Sequence, residues 1–154
     1  MILTQVISSP MGKVTLQATA QGLCYVGFHP KYAQTQGENE HLSLAAQQLE
    51  EYFAGKRQTF SVSLDVTGTP FQKAVWQVLR QVPYATTTTY GWMAKQLNNP
   101  KAVRAVGAAN GKNPISFIVP CHRIIGANGT LTGYAGGLAN KAWLLEHEQN
   151  VISK

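Results

Sequence analysis

Two cysteines in 154 residues, Cys24 and Cys121, are too few for a disulfide framework and fit a reducing compartment. No apolar run is long enough to span a bilayer, and no signal-peptide pattern follows Met1. These absences set the expectation of a soluble, cytoplasmic protein without a membrane partner. Low-complexity tracts and short repeats are also missing, which argues against linkers and solenoids. Negative charge is scarcest in the second half. Residues 67–154 hold nine basic residues and two acidic ones, Glu146 and Glu148, a balance of +7. Residues 1–66 hold four basic and five acidic residues, a balance of −1. The asymmetry points the second half toward a polyanion, nucleic acid first; the alternative is a basic but inert surface.

At 44% hydrophobic, the chain can bury one good core or two small ones. The first half reads as strands and then a helix. "LTQVISS", "KVTLQAT" and "LCYVGF" are β-rich runs separated by the turn signals Pro10-Met11-Gly12 and Gln21-Gly22. Leu42, Ala45, Ala46, Leu49, Tyr52 and Phe53 recur at helical spacing up to Gly55, and "FSVSLDV" alternates as a further strand. No polar cluster converges there. Cys24 reads as core, and its spacing to His29 and His41 matches no strong zinc pattern.

"DVTGTP" (Asp65 to Pro70) marks the junction, giving domains over 1–66 and 67–154. Thr69-Pro70-Phe71-Gln72 combines a capping box with proline at the first helical position. Phe71, Val75, Val78, Leu79 and Val82 form the apolar face of the helix that follows. A second helix is expected from Thr89 or Tyr90 to Leu97. After "NNP", Asn99 is expected to cap a third through about Ala109. The pair is a helix-turn-helix or a plain helical hairpin. Small residues in "PKAVRAVGAAN" let the third helix approach a surface closely, with Arg104 as the long cation in its middle. Then come an expected strand "SFIVP", the kernel Cys121-His122-Arg123, a Gly-rich stretch, and a last helix from about Leu138 to Gln149. A helix-turn-helix followed by a β-turn segment resembles a winged helix, so the expected class is α+β.

A thiol must ionise to be a good nucleophile, and a neighbouring imidazole or cation favours its anion. On an extended chain Cys121 and His122 would point to opposite faces, so a bridging water or a local turn is required. A carboxylate to orient His122 is available from Glu146 or Glu148. From these residues alone, Cys121 is a reactive residue or a structural thiol. Asn113, before Pro114, suits a turn. Tyr134 in "GYAGG" suits stacking on a flat ligand, and Tyr90 suits a core ring with its hydroxyl at the rim.

"PCHR", the preceding "GKNP", the helix "NPKAVRAVG" and "GYAGGLANKAWLLEHE" together resemble the O6-alkylguanine-DNA alkyltransferases, most closely their stand-alone bacterial members. The resemblance covers residues 70–154; residues 1–66 match in length and strand–helix order. It implies a small N-terminal α/β, ribonuclease H-like domain followed by a helix-turn-helix, winged-helix-like domain. It makes Cys121 the acceptor of an alkyl group from O6 of guanine, or O4 of thymine, in double-stranded DNA. The S-alkylcysteine is not regenerated, so each molecule acts once. His122 would polarise a water that takes the thiol proton, Glu148 would orient His122, and Asn113 would hold the turn. Tyr90 would bond the base and help rotate the nucleotide, and Lys141 would help supply a proton to the leaving oxygen. Tyr134 would pack on the flipped base beside Gly136, with Ala135 N–H toward O6 and the carbonyls of Cys121 and Ile124 toward the exocyclic amine. Arg104 would be the finger that fills the vacated stack, on a DNA-binding face with Ala102, Ala105, Gly107 and Arg123. The protein would act as a monomer, or cooperatively along DNA. Some relatives bind zinc in the first domain, but Cys24, His29 and His41 do not reproduce those ligand positions, so neither metal nor organic cofactor is expected. Two rivals stand beside this reading: a cysteine hydrolase that turns over, and a winged-helix regulator whose Cys121 senses alkylation or oxidation, as a binding module would. Regulatory relatives carry an extra metal-binding domain before this core, which makes regulation the lesser expectation.

Overall fold

The computed structural model describes residues 1–30 and 32–153, which fall into two compact units. The first comprises Met1–Thr67 together with Pro114–Ser116. Its sheet is an antiparallel meander in the order β1 (Leu3–Ser9), β2 (Gly12–Ala18), β3 (Leu23–Gly27). Gly12 opens β2 at φ +104°, a left-handed conformation that suits glycine at the hairpin turn. The central strand is buried from Val14 through Ala18. Helix α1 (Glu40–Phe53) brings Leu42, Ala45, Leu49 and Tyr52 into the core. Asn39 caps it by accepting from Leu42 N at 2.9 Å, and the chain leaves it at Gly55 with φ +78°.

"FSVSLDV" does not form the expected strand; its ladder is a single bridge from Leu64 to Leu23. The reason lies in α1. Gln48 accepts from Ser61 N at 3.0 Å and donates to Ser61 Oγ at 2.7 Å, so a helix side chain takes the backbone donor that a neighbouring strand would need. Residues 114–116 lie beside β3, where Val26 N–H donates to Pro114 O and Ser116 N–H donates to Val26 O, both at 2.9 Å.

The second unit runs from Gly68 to Asn113 and from Phe117 through the last described residue. Helix α2 (Pro70–Leu79) carries the full capping box: Thr69 Oγ1 accepts from Gln72 N, and Gln72 Oε1 accepts from Thr69 N. Helices α3 (Tyr90–Gln96) and α4 (Val103–Gly111) pack on it around Val75, Trp76, Leu79, Met93, Ala94 and Val106, all buried. Trp76 Nε1 donates to Ala109 O at 2.8 Å and ties α2 to α4.

Asn99 does not cap α4. Its carbonyl closes a separate turn onto Ala102 N at 2.9 Å, after Asn98 has reversed the chain at φ +56°, and α4 begins only at Val103. Arg104 therefore lies on the first turn of α4 and not in its middle.

The expected strand "SFIVP" is a buried turn. Phe117 adopts φ +69°, a left-handed conformation costly for a bulky residue, and Phe117, Ile118 and Val119 are buried all the same. The run is apolar because a turn is buried there, not because a strand passes through. Cys121–Arg123 then form one turn of 3₁₀ helix. Two short strands, β4 (Thr88–Thr89) and β5 (Ile124–Ile125), pair in parallel, Thr88 with Ile124 and Thr89 with Ile125. This pairing starts α3, with Tyr90 as its first residue, where the loop after β5 begins. A strandless loop over residues 126–137 leads to α5 (Leu138–Ile152). Among the described residues no helix is long and apolar enough to cross a membrane.

Candidate active site

Helix α5 buries Lys141, Leu144 and Glu148, one stripe at i, i+3 and i+7 in which two of the three residues are ionisable. Buried charges need partners, and the 3₁₀ turn supplies them to Glu148. His122 Nε2 is 2.8 Å from Glu148 Oε2, with both side chains fully buried. Arg123 Nε donates to Glu148 Oε1 and Nη2 to Oε2, both at 2.9 Å, and Nη1 donates to Val82 O at 2.9 Å. Ala85 N–H adds a fourth donor, to Oε1 at 3.0 Å, and Ala85 itself sits at φ 60°. Burial alone would raise the Glu148 carboxyl, but the hydrogen bonds and charges of His122 and Arg123 outweigh it and hold Glu148 well below the usual carboxylate range. Glu146, the other carboxylate of the basic half, is exposed.

This arrangement sets the state of His122. An ionised carboxylate can only accept, so Nε2 carries a proton toward Glu148. Burial lowers the imidazole's pKa by more than Glu148 raises it, so the ring is neutral at neutral pH. A neutral ring with its proton on Nε2 has a bare lone pair on Nδ1. That atom is buried and has no hydrogen-bond partner among the described residues. His122 is therefore poised as a base.

Cys121 is 4% exposed. Burial pushes its thiol pKa up, opposed by a hydrogen bond from the Asn113 side chain and by the charge of Lys141. Asn113 Nδ2 also donates to Val119 O at 2.8 Å, and Cys121 N–H donates to the same carbonyl at 2.8 Å. Asn113 thus braces the turn that presents the thiol. Lys141 is buried and donates from Nζ to Thr132 O at 2.6 Å; burial pulls its pKa down, against the pull of Cys121.

The other expected positions divide. Tyr90 is half-buried, with Oη 3.0 Å from Thr132 Oγ1. On the loop, Tyr134 and Gly136 are half-buried and Ala135 is exposed, while Gly136 O accepts from Asn140 Nδ2 at 2.9 Å. Ile124 is buried in β5. On α4, Arg104 and Ala105 are exposed and Ala102 is half-buried at the N-cap; Gly107 lies against the Tyr90 ring, which would stand 3.7 Å from an added Cβ. Arg123 requires a correction. Expected on the DNA face, it is 5% exposed, spends its guanidinium on Glu148 and Val82, and lies 5.5 Å from the centre of the Tyr84 ring. Three of its five N–H donors are spent inside the fold, and its burial keeps the others from a phosphate on the surface. Its role as the clamp on Glu148 was missed, as was Thr132, where Tyr90 and Lys141 meet. Among the described residues no group of three or more His, Cys, Asp or Glu is placed to hold a metal ion.

A helix-turn-helix unit with an exposed arginine beside small residues, and a buried cysteine backed by a His–Glu pair, defines a DNA-binding protein built around one thiol. Comparison with known proteins places it further. Residues 70–150 match the family model for the DNA-binding domain of 6-O-methylguanine DNA methyltransferase, and residues 2–66 match the model for its ribonuclease-like domain. A methylated-DNA–protein-cysteine methyltransferase of Methanosarcina acetivorans is 50% identical, over 93% of this chain and 96% of its own length. The crystal structure of Mycobacterium tuberculosis O6-methylguanine methyltransferase superposes with a TM-score of 0.88 at 43% identity, covering 97% of this chain and 94% of the other. A structure of M. tuberculosis OGT in complex with DNA gives 0.90 at 44% identity, over 97% and 94% of the two chains. The chain belongs to the 6-O-methylguanine DNA methyltransferase family. Its fold is accordingly α+β, a ribonuclease-like domain followed by a DNA-binding domain.

Proposed function

We propose that this protein repairs alkylated DNA by direct reversal, moving the alkyl group from O6 of guanine, or O4 of thymine, onto its own Cys121. The observation that carries this reading is the buried, neutral His122, fixed by Glu148 at Nε2 and unspent at Nδ1, next in sequence to a buried thiol. The thiol's raised pKa means that a base must act before it can attack. In the reaction a bridging water passes the thiol proton to His122 Nδ1. Sulfur then forms a bond to the alkyl carbon as the carbon–O6 bond breaks, leaving the electron pair on the base. Lys141, made more acidic by burial, provides a proton for the leaving oxygen. The product is a stable thioether, so each molecule reacts once.

O6 lies inside the duplex, and reaching it requires flipping the nucleotide out at a cost of a few kcal/mol. The exposed Arg104 enters the vacated stack, and its small neighbours Ala102 and Ala105 allow the close approach. Tyr90 bonds the flipped base, Tyr134 packs on it, and Ala135, Gly136 and the carbonyl of Ile124 line its edge. The DNA complex of the M. tuberculosis relative and the excess of basic residues in the second half support duplex DNA as the partner. The site of action is the cytoplasm, where both thiols stay reduced.

A duplex carrying label in the O6-methyl group tests the reading. Label should move to the protein. A hydrolase would release it to solution, and a regulator would bind the duplex and leave the label in place.

A further inference from the structure

Tyr90 and Lys141 lie on different helices, yet both end on one residue. Tyr90 Oη is 3.0 Å from Thr132 Oγ1, and Lys141 Nζ donates to Thr132 O at 2.6 Å. Thr132 sits in the strandless loop between β5 and α5. Elsewhere that loop is held by its own turns, Gly126 N–H to Thr130 O and Gly137 N–H to Tyr134 O, and by Asn140 at Gly136. At Thr132 it is instead fastened to α3 through a side chain and to α5 through a carbonyl.

Chemistry gives the first bond a direction. Either hydroxyl could donate to the other. In an O6-alkylguanine, however, N1, N3 and N7 carry no hydrogen and can only accept, so Tyr90 can bond one only if its own proton is not spent on Thr132. Thr132 must then be the donor. The second bond restrains a long, flexible side chain whose charge acts on Cys121.

We propose that Thr132 is a positioning residue for alkyl transfer, its hydroxyl donating to Tyr90 so that the phenol proton is turned to the base, and its carbonyl anchoring Lys141. The proposal rests on the roles given above to Cys121, Tyr90 and Lys141, and Thr132 itself touches no reacting atom.

Single-turnover rate constants on an O6-methylguanine duplex would be measured for the parent, T132V, T132A, T132S, Y90F and the double variant Y90F/T132V, with DNA affinity alongside. T132V and T132A lack the hydroxyl but keep the carbonyl, and each should slow transfer about tenfold with affinity unchanged. T132S restores the donor and should return to within about twofold of the parent. If Thr132 acts through Tyr90, Y90F/T132V should be no slower than Y90F alone. Parent rates in T132V and T132A, a T132S as slow as T132V, or fully additive losses in the double variant would each overturn the proposal. A parent protein that moves no methyl group to Cys121 would instead overturn the function on which it rests.

Discussion

Arg123 grips Glu148 through two parallel hydrogen bonds, Nε to Oε1 and Nη2 to Oε2, each 2.9 Å, in a site where both residues are buried. The same carboxylate holds His122. Three consecutive residues of one 3₁₀ turn therefore present the thiol, a base, and the cation that fixes the base's partner.

Removing one member of a buried ion pair strands the other, at a cost of about 3–5 kcal/mol. Arg123→Ala should lose stability of that order in urea unfolding. Arg123→Lys keeps the charge, loses the fork, and should fall between Ala and the parent. Because Arg123 faces Glu148 and not solvent, the salt slope of DNA binding by the alanine variant, measured where it is still folded, should equal the parent's. A slope altered by about one would restore Arg123 to the DNA face.

The raised thiol pKa and the lowered Glu148 pKa predict opposite pH behaviours. A thiol held above the ordinary value of about 8.5 is protonated at neutral pH. Alkylation of Cys121 by a small agent such as iodoacetamide should therefore climb with pH beyond that value, and a plateau near neutrality would show a preformed thiolate. Glu148 is depressed on folding, so its stabilisation is present above the unfolded carboxyl pKa of about 4.3 and lost as pH falls toward the folded value. The stability gap between the parent and Glu148→Gln should narrow below that pH. At neutral pH the same variant should slow transfer and leave DNA affinity unchanged.

Elements set by local chemistry were legible in the sequence. Thr69-Pro70-Phe71-Gln72 forms its capping box, and the three N-terminal strands and the long helix stand where periodicity puts them. The pairing of His122 with a carboxylate of the last helix was legible too, because the basic half offers just two. What failed depended on contacts distant in sequence. The Phe117–Val119 run reads as a strand by hydrophobicity, and nothing local announces the left-handed Phe117. "FSVSLDV" alternates like a strand, yet Gln48 of α1 claims its backbone. Arg123 reads as a surface cation because arginine is seldom buried, and only Glu148, Val82 and Tyr84 together make it otherwise.

Arg104, exposed on the first turn of α4, is proposed as a finger and not a phosphate clamp. Arg104→Ala should slow repair in duplex DNA far more than reaction with free O6-benzylguanine, which needs no flipping. Placing the lesion in an unstable mismatch should partly rescue it. Equal losses on free base and duplex would mean that Arg104 supports the pocket structurally.

The central claim is that Cys121 is consumed. Intact-mass and peptide measurements after reaction with excess O6-methylguanine duplex address it most directly. The predicted result is a plateau at about one methyl group per molecule, located on the peptide containing Cys121, and none in a Cys121→Ala variant that still folds and binds DNA. Methanol released beyond the amount of protein, or a methyl group gained by Cys121→Ala, would contradict it.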